Sequence, residues 1–331
     1  PYQPQGLAPF ASDVLCLDET TLDRVARSLP ALRPVPAGDR RLLPGKLTAL
    51  FDIRRQQFRR VVYQANPAQN EKVAARSMLA GLARGCLLLA DLGYFAFQWF
   101  DDLTDAGHWW ISRLRARTSF CICHVYFDDG RTFDGLVWLG AHRADRTKHP
   151  VRLVRFQAHH ATHSYLTNVL DPQLLSLRTI AQLYARRWDI ELAFKTIKRE
   201  VGLHLLWSAK PLVILHQVWA VLLIAQILQA LRLEIAARAD VDPFEVSLPL
   251  LIQYLPQYAQ EGVDPLAAFV ADGRRLGFIR PSSRTQVQAP HIPLAQLIPR
   301  PPDLLAERVP RYAHKGGINR PAHGQPVWAG E

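Results

Sequence analysis

Four side chains with chemical reach recur at fixed intervals in one stretch: Tyr184, Arg187, Glu191 and Lys198. The window from Tyr184 to Lys198 holds no Gly or Pro and is rich in good helix formers. It predicts a helix beginning near Ser176, whose hydroxyl can cap it. At about 100° per residue the four project at about 0°, 300°, 340° and 320°, within one arc of about 60°. Leu183, Ile190, Phe194 and Ile197 fall on a neighbouring arc. Such a helix buries one face and turns the polar stripe along the edge of the core. A lone carboxylate among an aromatic hydroxyl and two cations suits a site that holds a metal ion and grips phosphates around it. The bland alternative is a solvated amphipathic helix with Arg187 and Glu191 as an i,i+4 pair worth roughly a few tenths of a kcal/mol.

Two apolar runs deliver further acids. Val14-Leu-Cys-Leu17 leads into Asp18-Glu-Thr-Thr21, and Gly85-Cys-Leu-Leu-Leu-Ala90 leads into Asp91-Leu-Gly-Tyr94. Both predict buried strands with an aspartate at the end, a position where an acid caps or turns as readily as it reacts. Between them, Lys46 to Ile53 and Gln57 to Tyr63 predict a hairpin turning at Arg54-Arg55-Gln56, the second and third members of a three-stranded meander. Its arginines, Arg54, Arg55, Arg59 and Arg60, serve equally as a DNA track or as a solvated strand edge. A helix over Asn70 to Leu82, capped by Asn70, precedes the second acid, and Phe95 to Ala106 predicts the next helix. The run His108 to Arg113 predicts a fifth strand.

Composition narrows the class. Forty Lys and Arg against 29 Asp and Glu give a formal charge of +11, which favours a polyanion, nucleic acid before an acidic membrane. Four scattered cysteines without a Cys-x-x-Cys pair exclude a disulfide framework and point to a reducing cytoplasm. Leu212 to Leu233 is long and apolar, but His216, Gln217, Gln226 and Gln229 interrupt it, so a buried helix is expected rather than a membrane span.

The spacing Tyr, two residues, Arg, three residues, Glu, six residues, Lys resembles the YREK signature of the DDE transposases of insertion-sequence family four (IS-four), the group that includes the Tn-five transposase. Tyr165-Leu-Thr-Asn168 and the pairs Arg187-Trp188 and Ile190-Glu191 resemble that family's flanks, and the likeness runs roughly from residue 14 to residue 235. It implies that Asp18, in an Asp-x-Thr setting, and Asp91 are the two catalytic aspartates and Glu191 the third acid. Leu92 stands where the family often has Arg, while Gly93 and Tyr94 fit. Three hard oxygen ligands suit Mg2+ or Mn2+, and two such ions about 3.5 to 4 Å apart serve an in-line displacement at phosphorus. Tyr184, Arg187 and Lys198 are then expected to grip phosphates. The implied activity is cleavage of double-stranded DNA at transposon ends and strand transfer into target DNA by a homodimer that joins two ends, with no membrane partner.

The same resemblance implies the fold: α/β, a ribonuclease-H-like mixed sheet flanked by helices, with an antiparallel β insertion before the catalytic Glu helix. The expected divisions are 1–115 for the first part of the core, 116–175 for the β insertion, 176–280 for the Glu helix and later helices, and 281–331 for a Pro-rich flexible tail. Short β-type runs from Phe120 to Val169 and helices over Pro211 to Arg238, Ser247 to Tyr258 and Asp264 to Arg274 fill that frame. Only 13 residues precede the first expected strand, where the family's end-recognising helical region belongs. The alternative expectation is therefore a truncated, noncatalytic DNA-binding remnant.

Overall fold

In the computed structural model of the chain, residues 6–22, 45–64, 71–141, 145–158, 161–203, 206–208, 210–282, 288–304 and 306–312 are described. The expected Asn70 cap and the expected tail beyond 312 lie outside these residues. Among the described residues nine strands, numbered β1 to β9 along the chain, form one large mixed sheet in the order β3-β2-β1-β4-β5-β9-β8-β7-β6. The chain divides into two compact units. One is Pro1–Gly6, Asp18–Gln69 and Trp188–Gln286; the other is Leu7–Leu17, Asn70–Arg187 and Val287–Glu331.

In the second unit β1 (Val14–Thr21) contributes its first half, Val14 to Leu17, whose four side chains are all buried. It pairs in parallel with β4 (Leu87–Ala90), which pairs in parallel with β5 (Trp109–Arg113). A continuous apolar run is what a parallel strand buried on both faces requires. The helix α1 (Glu71–Leu79) precedes β4, and α2 (Phe97–Asp105) crosses over to β5, with Phe100 stacked on Trp110 at 4.2 Å between ring centroids. The expected antiparallel strands are β6 (Phe120–Asp128), β7 (Thr132–Leu139), β8 (Val151–Ala158) and β9 (Ala161–Thr167). They extend the same sheet, because β9 pairs antiparallel with β5. Asn168 helps to hold that junction: its side chain accepts from the Trp110 amide at 2.9 Å and donates to the His108 carbonyl at 2.8 Å. Arg152, fully buried on β8, is forked onto Asp134 of β7 at 2.7 and 2.5 Å. The described part of the Pro-rich tail is mostly exposed, with short 3-10 turns at Leu294–Gln296 and Pro302–Leu304. The Ile298 amide donates to Tyr126, and Arg146 and Arg311 form an antiparallel bridge.

In the first unit β2 (Lys46–Asp52) and β3 (Gln57–Gln64) form the expected hairpin, with Gln56 at φ +52° in its turn. The helix α5 (Pro211–Ala239) reaches this hairpin, where the Gln226 side chain accepts from the Phe58 amide at 2.7 Å. Leu228 and Ile235 of α5 form a core with Leu251 of α6 (Leu248–Gln260), Phe269 of α7 (Pro265–Asp272) and Phe278. The glutamines that interrupt α5 thus have a structural use, and Gln217 and Gln229 are buried. By length and composition α5 could cross a membrane, and 44% of its most apolar window is buried.

Candidate active site

The stretch that opened the sequence analysis is two helices, α3 (Leu177–Ala185) and α4 (Trp188–Arg199), rather than one. Ser176 caps the first as expected, its hydroxyl accepting from the Thr179 amide at 3.1 Å. The break has a backbone cause. The amides of Arg186 and Arg187 reach back three residues, to Leu183 and Tyr184, each at 3.0 Å, which tightens the last turn and ends the helix without Gly or Pro. The second helix starts with Asp189 in its first turn, buried and accepting from the Gln56 side chain at 2.8 Å. The single 60° arc is therefore corrected: Tyr184 belongs to α3, Arg187 to the turn, and Glu191 and Lys198 to α4. Seven residues apart, the last two remain within about 20° of each other.

In the second unit, Leu17 of β1 stands opposite Ala90 of β4 in a parallel register, and in sequence an aspartate follows each, Asp18 and Asp91. The end of β4 is held from below by α3. The Tyr184 hydroxyl, on a side chain only 7% exposed, donates to the Ala90 carbonyl at 3.5 Å, and its ring lies 4.9 Å from that of Tyr165. Burial pushes the Tyr184 hydroxyl well above its usual pKa, against the opposing pull of Arg187, so it stays a neutral donor. Arg187 Nε lies 3.8 Å from Asp91 Oδ1, with the Asp91 side chain 44% exposed. Asp91 is also the residue from which a short 3-10 turn, Leu92–Tyr94, starts, and its carboxylate caps none of that turn's amides. The Cys16 thiol, buried on β1, faces the Arg186 carbonyl at 3.9 Å, a core contact rather than a nucleophile's setting.

In the first unit, β1 continues three residues past Asp18, so this acid lies within the strand rather than at its end. Threonines at 20 and 21 favour the extension. Asp18 Oδ1 accepts from the Glu19 amide at 2.8 Å. Glu19 itself is bound by Lys46 at 2.5 Å and Thr48 at 2.7 Å, so the acid beside Asp18 is taken up within the sheet. Glu191, half-buried in the first turn of α4, shares that helix with Lys198, whose Nζ donates to the Thr21 carbonyl at 3.0 Å. Tyr184 and Lys198 thus hold the backbones of the two acid-bearing strands, a positioning role that spacing alone did not reveal. The sequence reading also passed over Arg113, Arg115 and Arg117, whose alternation along a β-strand and loop is the signal that could have found them.

A second set of acids gathers on α2. Asp105 lies 2.7 Å from His149 Nε2 and 2.8 Å from Lys148 Nζ, and both of those groups also face Glu307. Asp105, His149 and Glu307 are close enough to hold a metal ion. The Lys148 ammonium already sits among their oxygens, which makes this an ion-pair cluster.

The sequence pattern of the family described as Transposase DDE domain matches residues 9–227, and the chain belongs to that family. It is 23% identical over 236 residues to the transposase for insertion sequence element IS231F of Bacillus thuringiensis subsp. israelensis, covering 54% of this chain and 48% of that one. The chain spans about half the length of this relative. Among solved structures it is similar to a piggyBac transposase in a synaptic complex with hairpin DNA. The TM-score is 0.41 and the identity 11%, over 86% of this chain and 56% of that one.

Proposed function

We propose that the chain is the catalytic part of an IS-four-type DNA transposase that hydrolyses phosphodiester bonds at transposon ends and transfers the freed strand into target DNA. The YREK residues, on this reading, are Tyr184, Arg187, Glu191 and Lys198, and the sheet is ribonuclease-H-like. The observation that carries the reading is the parallel register of β1 and β4, in which Leu17 faces Ala90 and both strands proceed to an aspartate. Family membership supports it.

Asp18, Asp91 and Glu191 would hold Mg2+ or Mn2+, as a pair of ions on this reading. All three offer hard carboxylate oxygens, and Asp91 is half-exposed with a guanidinium beside it rather than backbone amides on its oxygens. Bound there, the ions supply an activated oxygen nucleophile and stabilisation of the leaving oxygen. The protein's own part is positioning. Arg187, next to Asp91, orients a phosphate at the strand end. Tyr184 fixes the β4 carbonyl before Asp91, and Lys198 fixes β1 beyond Asp18. The acting species is a homodimer on double-stranded DNA in the cytoplasm.

The test is nicking of supercoiled DNA with Mn2+. Wild-type chain nicks, and Glu191→Gln abolishes nicking while leaving duplex binding within about twofold. Equal nicking by the two proteins defeats the catalytic assignment and favours the noncatalytic remnant.

A further inference from the structure

We infer that a cleft in the second unit, lined by Arg113, Arg115, Arg117, Arg131 and Arg155, binds the phosphodiester backbone of the duplex whose scissile end lies at Asp91. The inference rests on the proposed function and adds a DNA-binding site to it.

The cleft has a volume of about 620 Å³ and is built from the loop after β5, the β6–β7 turn and the facing edges of β8 and β9. Five guanidiniums line it together with the hydroxyl residues Thr118, Thr162 and Ser164, and among the described residues its lining includes no carboxylate. The acids nearest in sequence, Asp128 and Asp129, are exposed and engaged by their own turn: Asp128 accepts from the Gly130 amide, and Asp129 from the amides of Arg131 and Thr132. Five positive charges exceed what one phosphate monoester of charge about −2 balances, so the matching ligand carries several phosphates. Guanidiniums pair bidentately with phosphate oxygens. Among the described residues of the lining Phe120 is the one aromatic, which suits a sugar–phosphate backbone better than a row of stacked bases.

Two details tie the cleft to the acid at the end of β4. Arg115 donates to the carbonyl of Leu92, the residue after Asp91, at 2.9 Å, and its guanidinium lies 4.9 Å over the Phe95 ring. In the antiparallel register of β5 and β9 Arg113 stands opposite Tyr165, whose ring lies 4.9 Å from that of Tyr184. The loop also carries strain where the charge is needed. Arg117 sits at φ +62°, a left-handed conformation that Gly or Asn adopts at lower cost.

The experiment measures fluorescence anisotropy of a labelled duplex of about 30 base pairs with the full chain, in chelator, so that the metal ligands are not involved. The triple variant Arg113→Gln, Arg117→Gly, Arg131→Gln is expected to bind at least tenfold more weakly, with the slope of log K against log salt smaller by about 2 to 3. Arg117→Gly alone relieves the strained backbone, so it keeps the wild-type melting temperature within a few degrees and still loses about one unit of salt slope. Inorganic phosphate is expected to displace the duplex no better than chloride at equal ionic strength. Wild-type affinity and slope in the triple variant overturn the inference, as does selective displacement by phosphate, which marks a small-anion pocket. Failure of metal-dependent nicking with the arginine effect intact falls on the catalytic reading instead.

Discussion

Two aspartates ten residues apart in the second unit meet opposite fates. Asp101, on α2, is 1% exposed and takes bonds from the Lys148 amide at 2.7 Å, the His149 amide at 3.1 Å and the Tyr312 hydroxyl at 2.9 Å. Asp91, at the end of β4, keeps 44% of its side chain in solvent and has a guanidinium at 3.8 Å. The first acid is consumed in holding a helix, a loop and the tail together; the second is held at its backbone and left open at its oxygens. A buried carboxylate with all its acceptors used is a structural part, whereas an open one on a rigid strand is available for a ligand. The same contrast separates arginines: Arg152 is matched to Asp134 inside the sheet, while the Arg113 to Arg117 cleft is lined without a carboxylate.

The contrast can be broken in several places. The largest effect is expected at the open acid: Asp91→Asn lowers Mn2+-dependent nicking by at least ~10³-fold, with thermal stability within about 1 kcal/mol of wild type. Loss of folding instead would make Asp91 structural. Arg152→Ala leaves Asp134 charged and buried, so a destabilisation of about 3 to 5 kcal/mol is expected in urea unfolding. Asp101→Ala strands two amides and a phenol. It is expected to cost about 2 to 3 kcal/mol while Mn2+ affinity is unchanged.

Asp102 gives the pH signature of the closed acid face. Burial raises its pKa from 3.8 to about 6, with Arg76 opposing and Asp101 and Asp105 assisting. The folded chain therefore holds this proton more tightly than the unfolded chain. Its contribution to stability is full below about pH 4 and is lost as pH rises through 6. Asp102→Asn is expected to raise the melting temperature at pH 7 and to leave it unchanged near pH 4; a gain independent of pH would reject the burial argument. The smallest expected effect is that of Ser176→Ala, about 1 kcal/mol from loss of the α3 cap, read by chemical denaturation.

Much of this was legible in the sequence because the relevant signals are local. The apolar runs before Asp18 and Asp91 and the hairpin at Arg54 to Gln56 each depend on a few neighbouring residues, and the structure has them within a few residues of expectation. The Ser176 cap is local in the same way. The break between α3 and α4 was not legible, since no Gly or Pro marks it and its anchor, the Gln56 to Asp189 contact, spans 133 residues. Nor was the use made of Tyr184 and Lys198, whose partners are backbone carbonyls on distant strands. The arginine cleft gathers side chains from separate strands and turns, a proximity that only the antiparallel pairing of β6 to β9 creates.

The central claim is that Asp18 and Asp91, rather than the Asp105, His149 and Glu307 cluster, bind the metal. Calorimetric titration of Mn2+ into the wild-type chain, an Asp18→Asn, Asp91→Asn variant and an Asp105→Asn, Glu307→Gln variant tests it most directly. The account predicts saturable binding that disappears in the first variant and survives in the second. Binding that persists without Asp18 and Asp91, or that vanishes with Asp105 and Glu307, would contradict it.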